Sequence, residues 1–456
     1  MRRILPLCFA VLALVPSAAQ AAHSDNVLPV AQIPTLVGAI SINFIGDTMF
    51  VSTAHGVYSY DVKDPAHPTL LGALPMYIWE NEDVSVDVKR KRLFISRDPR
   101  GFTSPASSGD TFPYGAVHII DVSDPTNLKQ LNMFLVPAGH TTTCVNRCDV
   151  IWTAGPYANG IANPGLHGRP IYATDVTDPM NPKPCPAPID TDHDDGASGY
   201  VHDVQVDRAG VAWVTGQGGV RGYWTEGNHL NPLTGKVETA TGCKPIPYAG
   251  AGSPETATSS RFMHNSWRDW RPVKKGAKKT SGIPRNDVLL ATEENIVSDC
   301  KTSGRFVAYD IRGTHKGQGF NKATDKTARM KVLDTWTPEG QEGSTGCDSS
   351  HYFSSRGDGI TANAFYSKGV RFLDTRDPTN IRQIGYFVNS DSDTWAAYWH
   401  KGYVFVSDLQ RGVDVLKFDP GSMMTAVKAP VLKSTAPKLQ FSRNVFGGLC
   451  PLHVPV

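Results

Sequence analysis

Short runs of alternating apolar and polar residues, broken by turn residues, recur along most of the chain. Val204-Gln-Val-Asp-Arg-Ala-Gly-Val-Ala-Trp-Val-Thr is one such run, and Val84-Ser-Val-Asp-Val-Lys-Arg-Lys-Arg-Leu-Phe-Ile-Ser is its counterpart in an earlier part of the chain. An alternation with period two places apolar side chains on one face of a β-strand. Each of these runs therefore reads as strand, turn, strand.

A longer pattern follows these hairpins. Val57-Tyr-Ser-Tyr-Asp61-Val-Lys-Asp64-Pro65 returns as Val117-His-Ile-Ile-Asp121-Val-Ser-Asp124-Pro125. It returns again as Ile171-Tyr-Ala-Thr-Asp175-Val-Thr-Asp178-Pro179 and as Val370-Arg-Phe-Leu-Asp374-Thr-Arg-Asp377-Pro378. The branched and aromatic residues form a strand. The Asp-x-x-Asp-Pro tail forms a turn, because aspartate accepts nearby backbone N–H groups and proline presets φ. A further strand follows, as in Thr69–Leu74 and Ile381–Phe387. The unit is thus four antiparallel strands over about 45 residues, the period of a propeller blade.

Degenerate copies, Val220–Trp224, Phe306–Asp310 and Val413–Lys417, bring the number of units to seven, ending near residues 75, 137, 190, 255, 337, 388 and 419. The expected fold is all-β, a seven-bladed β-propeller of four-stranded antiparallel blades. It spans residues 22–419, preceded by a leader over 1–21 and followed by a tail over 420–456 that closes the ring or wraps it. The repeats resemble the LVIVD-repeat family of exported propellers, with Val117-His-Ile-Ile-Asp121-Val the nearest copy. That resemblance implies the propeller and implies no activity, since one fold carries many functions.

The leader reading rests on Arg2-Arg3, the apolar stretch Ile4–Val15 and the small-x-small run Ala19-Gln20-Ala21. This is the order of a secretory signal, with an apolar core too short to span a bilayer. Export to a periplasm or the extracellular space is therefore expected, with no membrane span. Removing the two leader arginines takes the formal charge from +2 to zero. A neutral chain gives no reason to expect nucleic acid as a partner. Of the eight cysteines, Cys8 lies in the leader; Cys144, Cys148, Cys185, Cys243, Cys300, Cys347 and Cys450 remain. Disulfides are expected in an oxidising compartment, and Cys144 with Cys148 would close a local loop.

In a propeller the first strand of each blade lines the central channel. Four consecutive units place a histidine near the start of that strand: His140, His202, His264 and His351. The second unit has Glu82 in the same place. Imidazoles converging on one axis suit a divalent transition-metal ion, with carboxylates completing or orienting the shell. Glu82, Glu293 and Glu294 are the candidate catalytic or orienting carboxylates. The loops that share this face carry Arg97, Tyr157, Gln217 and Asp408, the candidate channel-mouth residues. Two readings follow. One is a propeller that binds an extracellular ligand such as a glycan at the channel mouth. The other is a metal-dependent lyase, hydrolase or oxidase with a histidine-ligated ion in the channel. Repeats carry no catalytic signature, and the first reading is the simpler.

Overall fold

The computed structural model describes residues 21–82, 84–99, 115–155, 170–191, 201–217, 219–248, 253, 262–269, 283–294, 304–312, 330–338, 349–421 and 426–430. Among the described residues, seven antiparallel sheets of four or five strands follow one another along the chain, the fourth with a separate two-stranded hairpin at Gly227–Asn231 and Lys236–Ala240, and their strands pair in sequence order except for two strands from the start of the chain. Their innermost strands are Ala39–Ile45, Ser85–Asp87, Thr141–Val145, Val201–Val206, Phe262–Trp267, Phe353–Ser355 and Thr394–His400, in blades 1 to 7. Helix among the described residues is confined to short 3-10 turns, such as Pro34–Leu36 and Arg285–Asp287. No helix there is long and apolar enough to cross a membrane.

The Asp-x-x-Asp-Pro repeats act as structural turns in all four copies. Asp61, Asp121, Asp175 and Asp374 each accept the backbone N–H two residues on. Asp64, Asp124, Asp178 and Asp377 do the same. These bonds satisfy backbone donors that the end of the third strand would otherwise leave unpaired.

The core is a set of layers between neighbouring blades. Phe50 and Val57 meet Leu93 and Ile95 between blades 1 and 2. Phe94 and Val117 meet Ile151 between blades 2 and 3. Equivalent clusters fill the next four interfaces. A seventh joins Phe405 and Val413 of blade 7 to Ile42 and Met49 of blade 1, so the ring is closed. Each fully buried aliphatic or aromatic side chain contributes about 1.5–3 kcal/mol. Two of the buried indoles find partners. Trp152 Nε1 donates to the Gly242 carbonyl at 2.7 Å, and Trp213 Nε1 to Asp207 at 2.9 Å.

Closure comes from the start of the described chain. Ala21–His23 adds a fifth strand to blade 6, and Val27–Ile33 is the outermost strand of blade 7, paired with Gly412–Phe418. Past residue 419, the described part of the tail lies against blade 6, where Gln383 exchanges hydrogen bonds with Val427. Two disulfides are present among the described residues. Cys144–Cys148 ties the hairpin of blade 3, and Cys185–Cys243 links the outer edge of blade 3 to blade 4. Cys300, Cys347 and Cys450 lie outside the described residues, as do residues 1–20 of the leader expected over 1–21.

Candidate metal centre

The innermost strands do not start regularly. Register shifts interrupt their pairing at Ala39/Ser41, Val201/Asp203, Met263/Ser266 and Thr394/Ala396, all at the same end of the ring. A bulge bends a strand and re-aims its side chains. His202 and His264 sit in two of these bulges. His140 and His351 each precede their strand and donate their backbone N–H to the second strand of their own blade, to Ala154 and Ala364. Neighbouring blades then pin the carbonyls. The His140 carbonyl accepts the Glu82 N–H at 3.0 Å and the Ser96 hydroxyl at 2.9 Å. Thr141 donates to the His202 carbonyl at 2.6 Å, and Thr215 to the His264 carbonyl at 2.7 Å.

This scaffold brings all four histidines of blades 3 to 6 together with Glu82 from blade 2, and every one of the five is 0 % exposed. Glu82 Oε2 lies 3.4 Å from His140 Nε2, 3.3 Å from His202 Nε2 and 3.3 Å from His264 Nε2. Its other oxygen lies 3.3 Å from His351 Nε2. The Nε2 atoms of His140 and His202 are 2.8 Å apart.

The opposite ring nitrogens are held elsewhere. His140 Nδ1 donates to Asp98 Oδ2 at 2.8 Å, His351 Nδ1 to the Trp395 carbonyl at 2.6 Å, and His202 Nδ1 to the His264 carbonyl at 3.3 Å. Carboxylates and carbonyls only accept, so these three imidazoles carry their proton on Nδ1 and turn a bare Nε2 lone pair inward. Glu80 lies beside the same Asp98–His140 contact, 3.7 Å from His140 Nδ1.

Electrostatics keep the donors in ligand form. Burial, then the neighbouring imidazole of His264, holds His202 well below the ordinary histidine range. Burial and His351 bring His264 down to about 3. Burial opposes ionisation of Glu82, but the four imidazoles, His140 first, outweigh it and hold the carboxyl well below its usual value. At His202 and His264 the result is neutral imidazole beside a carboxyl held ionised. In hydrogen-bonding terms the set is unfinished, since both Glu82 oxygens, both His264 ring nitrogens and His351 Nε2 lack a hydrogen-bond partner. Buried acceptors left in that state are costly.

The donor set passes a simple fit test. Triads of Glu82, His140 and His202, and of Glu82, His264 and His351, each gather their donor atoms within 4.8 Å. Nitrogen and oxygen donors about 2.1 Å from one ion stand roughly 3.0–3.4 Å from their neighbours in octahedral or tetrahedral arrangements. The separations from Glu82 fall on that scale.

The other sequence candidates separate clearly. Glu294 joins the cluster, with Oε2 3.6 Å from His264 Nε2. Glu293 turns away and pairs with Arg305. Arg97 is buried, and its charge bears on His118, whose ring burial already keeps neutral. Gln217 is half-buried in the turn after the second strand of blade 4. Asp408 is buried in blade 7 and accepts the Asp393 N–H and the Thr394 hydroxyl. Tyr157 lies outside the described residues. Sequence reasoning missed the roles of Asp98, Glu80 and Tyr366. Asp98 directly follows the second strand of blade 2, Arg92–Arg97, on the face shared with the histidines, and that position was its only signal.

The centre is lopsided. Blades 2 to 6 supply polar donors, while Ile40 of blade 1, Tyr366 of blade 6, and Trp395 and Leu409 of blade 7 form an apolar cluster on the remaining side. The Trp395 and His351 ring centres are 4.3 Å apart.

No family model matches the sequence, and no curated protein matches it. Solved structures do. The β-propeller domain of a Myceliophteria thermophila protein aligns over 85% of this chain and 99% of its own, at 10% identity and a TM-score of 0.50. A periplasmic gluconolactonase from Pseudomonas aeruginosa aligns over 88% of this chain and 96% of its own, at 11% identity and a TM-score of 0.52. At such identities the likeness is one of fold: a β-propeller.

Proposed function

We propose that this chain is an exported propeller that holds one divalent transition-metal ion in its channel, and that it acts as a metal-dependent enzyme. The carrying observation is the 2.8 Å approach of His140 Nε2 to His202 Nε2. Both rings already spend their Nδ1 proton on an acceptor, so two lone pairs face each other in a buried site. A cation between them turns that repulsion into ligation. His140, His202, His264 and His351 would bind through Nε2, and Glu82 would supply an anionic oxygen.

Such an ion supplies Lewis acidity for polarising a substrate carbonyl or activating water. The chain's own residues do the rest. Asp98 fixes the tautomer and plane of His140, and the carbonyls of His264 and Trp395 do so for His202 and His351. The buried channel excludes bulk water, which strengthens every charge interaction within it. Export is supported by the leader pattern and by the two disulfides, which suit an oxidising compartment. The family reading as an LVIVD-repeat protein rests on the repeats, and an extracellular small molecule such as a glycan is the proposed substrate class.

Metal content of the purified mature protein tests this reading, with His202→Ala and His264→Ala alongside. Stoichiometric metal that both variants lose supports it. A protein free of metal, and unable to take up added zinc, copper, manganese or iron, overturns it. A second reading is favoured by the complete burial of all five donors. Structural metal sites are closed, whereas catalytic ones keep a position open. The ion would then tie blades 2 to 6 together and leave ligand binding to the channel mouth. A water proton-relaxation measurement on the manganese-loaded protein separates the two, because only an open site exchanges water at the ion.

A further inference from the structure

Tyr366 is held in a way that its own packing does not require. It is an aromatic residue at φ 38°, a region that bulky side chains avoid. Strain of this kind persists only where the surroundings enforce it, and it gathers at functional sites. Here two backbone hydrogen bonds to Thr394 of blade 7 enforce it, Tyr366 N–H to the Thr394 carbonyl at 3.1 Å and the reverse at 3.0 Å. The turn that follows closes with Gly369 N–H donating to the Tyr366 carbonyl at 3.0 Å.

The strained backbone aims the side chain across blades. The ring of Tyr366 lies 4.9 Å from that of His351 and meets Trp395 edge-on at 5.7 Å. Its phenol donates a hydrogen bond to Glu294 Oε1, which belongs to blade 5. The other oxygen of the same carboxylate faces His264 Nε2 at 3.6 Å. Glu294 also groups with His202 and His264 as a donor triad. Oε1 is therefore tethered, 4.0 Å from His351 Nε2, while Oε2 stands closer to the imidazoles.

We propose that Glu294 is a further carboxylate ligand of the metal centre and that Tyr366 is its positioning residue, holding Oε1 so that only Oε2 is presented to the ion. The proposal rests on the metal reading above. A carboxylate tethered in this way binds through one oxygen and leaves more of the coordination sphere to other ligands. A free carboxylate swings to bind through both.

The test uses the full mature chain and Co(II) as the probe, comparing wild type, Tyr366→Phe, Glu294→Gln and the double variant. Phenylalanine keeps the ring and the backbone and removes only the hydroxyl. We expect Tyr366→Phe to bind Co(II) about tenfold or more weakly, as for other groups that orient a ligand. We also expect an altered visible spectrum and an unchanged melting temperature without metal. Glu294→Gln should alter the spectrum too, and the double variant should add nothing to it, since the hydroxyl acts through the carboxylate. Wild-type affinity and spectrum in Tyr366→Phe would overturn the proposal, as would additive losses in the double variant. Should Tyr366→Phe fail to fold, Glu294→Gln decides alone: an unchanged spectrum there rejects Glu294 as a ligand. Wild-type protein that takes up no Co(II) rejects the metal reading itself, a result distinct from all of these.

Discussion

Asp98 and His140 meet across the boundary of blades 2 and 3, carboxylate oxygen to Nδ1 at 2.8 Å, with neither side chain exposed. A histidine with Nδ1 committed in this way is orientated as a ligand before any ion arrives. Asp98→Asn keeps the shape but can present an amide N–H to the ring, favouring the wrong tautomer. We expect this variant to bind metal about 10–100-fold more weakly, as read by competition with a chromophoric chelator.

Removing the metal should loosen the fold. An ion that binds only the folded state stabilises it by about 2.7 kcal/mol at a hundred times its dissociation constant. Wild-type protein should therefore melt at a lower temperature after chelation and recover on adding metal back. His264→Ala should show little or no such shift.

Stability should also fall as pH rises, through a pair of acids away from the histidines. Burial raises Asp393 to about 7, and burial with Asp393 as neighbour raises Asp408 to about 8, both from 3.8. The folded protein thus binds protons that the unfolded chain has released. The stability these groups contribute is complete below about pH 4 and is lost as pH rises through their folded values. Both oxygens of Asp408 accept hydrogen bonds, so the test is Asp393→Asn: Asp393 Oδ2 has no hydrogen-bond partner for the new amide to displace, and the variant cannot ionise there. Relative to wild type it should gain stability between pH 5 and pH 9, measured as the shift in urea midpoint. An unchanged difference across that range would refute this.

The Cys185–Cys243 bridge joins residues separated by 58 positions. A crosslink of that span stabilises by roughly 2–4 kcal/mol, chiefly by restricting the unfolded chain. Cys243→Ser should lower the melting temperature under oxidising conditions. Under reducing conditions, where Cys144–Cys148 is open in both proteins, wild type and variant should melt at the same temperature.

The blades were legible because their signal is local and repeated. Alternation in Val204–Thr215 and the turn chemistry of Asp61 and Asp64 act over a few residues, and seven approximate copies reinforce one another. The histidines were legible for the same reason: they occupy one position in four successive units. What the sequence did not disclose is what crosses between units. The link between Tyr366 and Glu294 spans 72 positions, and no periodic pattern points from one to the other. Glu293 and Glu294 are adjacent and chemically alike, yet strand alternation turns the first toward Arg305 and the second toward His264. Which of the two faces the axis depends on register to one residue. The closing strand Val27–Ile33 lacks the repeat motif altogether and is recognisable only by the blade it completes.

That closing strand also sets an order of events. Gln32 and Arg411, which bond across the seam, stand 379 positions apart. Contacts so remote along the chain form late. The first blade-forming segment to emerge must wait, without its partner, until the last blade exists. If the chain is exported as proposed, it crosses the membrane before its architecture can be completed, and the seam becomes the natural place for folding helpers, proteases or misassembly to intervene.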